Sequence, residues 1–158
     1  MTLENQQEFV RLLQKKMTAM QLQSTTLDGP ANQIGKTVRM LAVLTEEGDA
    51  ALMEVMITPF SEEEDLMMFF STIYRYETVD DELAGELMVE MSDWNMTCPL
   101  GNFGFYNEEQ QVYHKYSILI DPNESPETLA AKAMNHLEVL YEVVNSRFQD
   151  IVDLDESE

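Results

Sequence analysis

The run LMMFFSTIYRY, residues 66–76, constrains the fold more than any other stretch of this chain. Met68, Phe70, Thr72 and Tyr74 alternate with Met67, Phe69 and Ile73, which is the two-residue period of a β-strand. Both sets are substantially apolar. Such a strand belongs in the interior of a sheet, with helices over one side and a second surface over the other.

Neighbouring segments supply the rest of that sheet. In KTVRMLAVLTEEGDAALMEVMITPF, Val38, Met40, Ala42 and Leu44 share one face, and Leu41 and Val43 fall opposite. Glu46, Glu47, Gly48 and Asp49 form a hairpin turn, after which Met53, Val55 and Ile57 continue the inward face. Pro59 and the acidic SEEED run end that strand. Further on, PLGNFGFY returns to strand character, and Val112, His114, Tyr116, Ile118 and Ile120 alternate along the next strand.

Three stretches change to helical period. Phe9, Leu12, Leu13, Met17 and Met20 mark the first; Val79, Leu83, Leu87, Met91 and Trp94 the second. The third carries Leu129, Ala133, Leu137, Leu140, Val144, Phe148 and Ile151, with Ser125 as its N-cap and Pro126 in its first turn. The expected fold is α+β: an antiparallel five-stranded sheet with flanking helices, in the order α-β-β-β-α-β-β-α. One domain spans residues 1–158. Within it, 1–35 is a helix and connection, and 150–158 an acidic tail expected to fray.

Charge narrows the partners. Thirty acidic residues against 9 basic ones give −21, a field that repels nucleic acid, anionic lipid and polyphosphate. A macromolecular partner is expected to be a neutral or basic polypeptide, with no nucleic acid and no membrane among its targets. The single Cys98 cannot form an intrachain disulfide, and no apolar run is long enough to cross a bilayer. The expected location is cytoplasmic.

The candidate chemistry is sparse. GNFG lacks the strand–GxGxxG–helix setting of a dinucleotide site and has no Walker lysine, so Gly101 and Gly104 are read as sheet-shaping residues. Cys98 and His114 are the one pair that could serve a small hydrolase, if a cleft joined them to a carboxylate. His136, Glu138 and Glu142 form no compact metal motif, and Glu62, Glu63, Glu64 and Asp65 lack the ligand spacing of a calcium loop. The expectation is a noncatalytic protein that needs no cofactor and no metal.

The element order, together with the helix of Leu83, Leu87 and Trp94, then Pro99, Leu100, Gly101 and Phe103, then Tyr116 to Ile120 and the SPETL helix, resembles the YbjN-like family. It also resembles the wider fold group of bacterial type III secretion chaperones, over roughly Lys36 to Gln149. The resemblance implies a homodimer and a chaperone-like module that binds a polypeptide client; a structural or regulatory homodimer without a client is the rival. Leu52, Met56, Met67, Phe69 and Ile73 are the candidate partner-binding residues, with burial beneath a helix or in a dimer as the competing explanation. Trp94, Pro99, Gly101, Phe103, Gly104 and Phe105 are expected to hold the helix-to-hairpin hinge. Twelve methionines suit an adaptable binding surface and an ordinary core equally well.

Overall fold

A computed structural model describes residues 1–29 and 35–156. Along the chain run α1 (Leu3–Ala19), β1 (Ser24–Asp28), β2 (Lys36–Val43), β3 (Ala50–Pro59), β4 (Asp65–Arg75), α2 (Asp81–Thr97), β5 (Asn102–Tyr106), β6 (Gln111–Ile120) and α3 (Pro126–Glu156). The strands form one antiparallel sheet of six, in the order β1-β2-β3-β4-β6-β5. The methionine- and phenylalanine-rich β4 lies between β3 and β6, as its two apolar faces require.

The sheet therefore has six strands where the alternation pattern marks five. The extra one, β1, falls in the stretch read as a connection. STTLD holds a single apolar residue, Leu27, so it shows no alternation of burial. Its Thr25 and Thr26 favour extended backbone, and an edge strand paired only to β2 needs little more. Residues 30–34 of that connection lie outside the described residues.

All three helices pack on one face of the sheet. One core cluster gathers Phe9, Leu13 and Met17 of α1, Met40, Met53, Val55 and Phe69 of the sheet, and Leu137 of α3. A second gathers Leu83, Leu87 and Trp94 of α2, Ile73, Tyr76 and Phe103, and Phe148 of α3. Side chains of this size contribute about 1.5–3 kcal/mol each when fully buried. The long α3 spans both clusters and ties them into one layer.

The helix starts follow their capping residues. Thr2 accepts from the Asn5 N–H, Asp80 from Leu83, and Ser125 from Thr128. In the stretch 150–158, expected to fray, α3 continues as far as Glu156, and residues 157 and 158 lie outside the described residues. Ile151 is buried, Val152 and Leu154 pack on the second cluster, and the Tyr74 hydroxyl donates to Asp155 Oδ2 at 2.7 Å. The acidic run before β4 is exposed at Glu62 and Glu63 and ends in a buried ion pair. Asp65 is buried and receives the α-amino group of Met1 at 2.9 Å.

Candidate functional site

With every described helix on one side, the opposite face of the sheet has no layer over it among the described residues. Antiparallel register fixes its membership, because directly paired residues point the same way. Leu41 stands opposite Leu52, Met56 opposite Met68, Leu66 opposite Leu119, and Phe70 opposite Lys115. Phe70 stacks on Tyr113 with ring centroids 5.1 Å apart. Leu41, Val43 and Leu119 are exposed, and Leu52, Met56, Leu66, Met68 and Phe70 are half-buried.

Charge on this face differs from the rest of the molecule. Its strand rows carry three basic residues, Arg39, Arg75 and Lys115, and one acid, Glu54. Arg39 and Glu54 form an ion pair at 2.9 Å across β2 and β3. In a chain with 30 acidic and 9 basic residues, these strand rows thus hold a single acid.

The five candidate partner-binding residues do not form one surface. Leu52 and Met56 lie on the uncovered face, paired with Thr72 and Met68. Met67, Phe69 and Ile73 point the other way and are buried among the helices, Phe69 paired with Val55 and Met67 with Ile57. Sequence reasoning left Leu41, Leu66, Met68, Phe70 and Leu119 out of the set. The same period-two alternation that defines the strands would have supplied them, once the helices were assigned to one side.

Cys98 and His114 come together, as the hydrolase alternative requires, with Sγ 3.7 Å from Nε2. Their chemistry is directed elsewhere. Nε2 lies 2.7 Å from the Leu100 carbonyl, so that nitrogen carries the proton and donates it. The Cys98 thiol donates to the same oxygen at 3.1 Å. Burial pushes the His114 pKa below its ordinary value, opposed by the Leu100 carbonyl. Nδ1, the nitrogen left as acceptor, is buried without a partner. Thiol and imidazole thus share the Leu100 carbonyl and brace a turn of the backbone, and among the described residues no carboxylate bonds to either group.

That turn is the GNFG segment. Gly101 has φ +72°, and a Cβ there would run into the Lys115 carbonyl oxygen and the His114 ring. Gly104 lies under the Tyr113 ring, which occupies the space where a side chain would stand. Phe103 is buried edge-on against Trp94 at 5.8 Å, and Phe105 is half-buried. Pro99 is exposed. Asn95 of α2 completes the hinge: its amide accepts from the Phe103 N–H at 2.7 Å and donates to the Phe103 carbonyl at 3.0 Å.

His136 is not a solvated helix residue. It is half-buried, stacks on Phe69 and Tyr116 at 5.6 and 5.7 Å, and its Nδ1 donates to the Lys132 carbonyl at 2.8 Å. Among the described residues no group of three or more His, Cys, Asp or Glu is placed to hold a metal ion. Among them, too, no helix is long and apolar enough to cross a membrane.

Compared with models of known protein families and with curated proteins, the chain matches none.

Proposed function

We propose that this chain is a noncatalytic protein-binding module, and that the uncovered sheet face is the surface on which it receives a polypeptide. The observation that carries this reading is the pairing of an apolar, helix-free face with a scarcity of acid, Glu54 alone in its strand rows. Apolar surface of this kind is stabilised by leaving water, and a flat sheet face offers side chains in regular rows for a partner to interdigitate with. The YbjN-like resemblance of the element order agrees with the reading and carries none of its weight.

A second reading, a homodimer joined through the same face, is favoured by the charge distribution. Two copies at −21 repel each other. They approach at least cost where acid is scarce, and the strand rows of this face hold Glu54 alone, already paired with Arg39.

Native crosslinking with mass spectrometry, together with light scattering at micromolar concentration, tests both. The expected result is a crosslink from Lys115 to a recurrent polypeptide or to a second copy, lost in Phe70→Glu. Recovery of no polypeptide at this face, from a protein that stays monomeric, would overturn the proposal.

A further inference from the structure

A second surface lies at the end of β2, where Leu41 and Val43 border the sheet face just described. A groove of roughly 830 Å³ runs between the last residues of β2 and one side of α3, and the α1–β1 turn closes one end with Met20 and Leu22. We infer that this groove takes an extended segment of another polypeptide, one that offers apolar side chains and at least one Lys or Arg. The inference rests on the protein-binding reading; the groove shares Leu41 and Val43 with the sheet face but not Met68, Phe70 or Leu119.

The backbone of β2 is the first argument. β1 pairs with β2 only as far as Met40, and a single further bond joins the Leu41 N–H to the Gln23 carbonyl at 3.3 Å. β2 itself continues to Val43. On the other side, the Leu44 N–H bonds to Asp49, so antiparallel alternation turns the polar groups of Leu41 and Val43 outward, toward the groove. The Val43 carbonyl accepts from the Tyr141 hydroxyl at 2.8 Å, a side chain standing where a neighbouring strand would donate. An incoming extended segment can displace that hydroxyl and pair with the Val43 N–H, the mode of recognition by strand addition.

Lining chemistry is the second argument. Most of the wall is apolar, with Leu22, Val43 and Val139 among its side chains. The charged groups in it are Glu138 and Glu142, one turn apart on α3 and both exposed, with no basic residue among the lining. Like charges at this spacing repel, so a cation placed between them relieves repulsion as well as gaining attraction. The net charge of −21 draws a basic segment toward the groove from a distance.

The test uses two synthetic probes and the full chain. Acetyl-Lys-Leu-Val-Leu-Lys-amide should bind, and its Glu-Leu-Val-Leu-Glu counterpart should not, as measured by fluorescence anisotropy of labelled peptides. Glu138→Gln with Glu142→Gln should weaken the lysine probe by about fivefold or more. Val139→Arg, an exposed substitution that fills the groove with a cation, should abolish binding, whereas Phe70→Glu on the sheet face should leave it unchanged. Tyr141→Phe should tighten binding, because the Val43 carbonyl is then free to pair with the probe. The inference is overturned if neither probe binds, if the two bind alike, if binding survives Val139→Arg, or if Tyr141→Phe fails to tighten it. Loss to Phe70→Glu with indifference to Val139→Arg would place the probe on the sheet face, sinking this inference and leaving the proposed function standing. Loss of a dimer in Val139→Arg, seen by light scattering, would give the groove to a second copy and equally overturn it.

Discussion

Cys98 and His114 are neighbours through a shared acceptor: thiol and imidazole both donate to the carbonyl of Leu100. A base that activates a thiol needs a free lone pair on the nitrogen facing sulfur. Here that nitrogen holds its proton in a 2.7 Å bond to oxygen. Alkylation of Cys98 by iodoacetamide should therefore change by less than about threefold in His114→Gln. A drop of tenfold or more would reveal an activated thiol and restore the hydrolase alternative.

The same histidine gives a pH dependence with a definite sign. Burial lowers its folded pKa below the unfolded value near 6.5, so the unfolded chain binds the proton first. The contribution of His114 to stability is complete above that value and is lost as pH falls from it toward the folded pKa. Urea midpoints of the wild type, followed downward from about pH 7.5 to about pH 5.5, should fall relative to those of His114→Gln. Parallel profiles would show that the imidazole is protonated as easily in the folded chain.

Tyr74 joins the sheet to the end of α3. Its hydroxyl donates to Asp155, and this bond, with burial and the Asp155 charge, raises its pKa from 10 to about 12. A phenol raised in the folded state stabilises below its unfolded pKa and loses that contribution as pH rises through the folded one. Asp155→Asn should bring one tyrosine back toward ordinary ionisation in a near-ultraviolet titration and loosen the last turn of α3. An unchanged titration curve would count against the bond.

Two glycines should respond in opposite directions. Gly101→Ala places a methyl group against the Lys115 carbonyl oxygen in a left-handed backbone, and should cost about 2–4 kcal/mol by chemical denaturation. Gly85 is exposed within α2, with nothing near the position of a Cβ. Gly85→Ala should stabilise by about 0.5–1 kcal/mol. A neutral Gly101→Ala would show that the turn relaxes without it.

What the sequence made legible follows from how each element is buried. β3 and β4 bury nearly every residue of one face, and the inward reading of Met53, Val55 and Ile57 agrees with their burial. β1 buries almost nothing and left only two threonines as a signal. The binding surface was harder for a geometric reason. Met67 and Met68 are equally apolar, and adjacent residues on a strand face opposite ways. Only the side chosen by α1, α2 and α3 decides which of them meets solvent, and that choice is made by contacts distant in sequence. The sequence offers Cys98 and His114 only as a conditional pair, and the Leu100 carbonyl that sets their chemistry has no side-chain signature at all.

The clasp of Asn95 on Phe103 has a consequence for assembly. An amide that donates to and accepts from one backbone position imitates a strand, and it occupies the outer rim of β5. A strand arriving at β5 would have to displace Asn95 to reach the Phe103 backbone, whereas β1 and the last residues of β2 present edge backbone on the other side of the sheet. Asn95 thus guards the middle of β5 against strand addition, and the two edges of one sheet are unequally receptive to a neighbour.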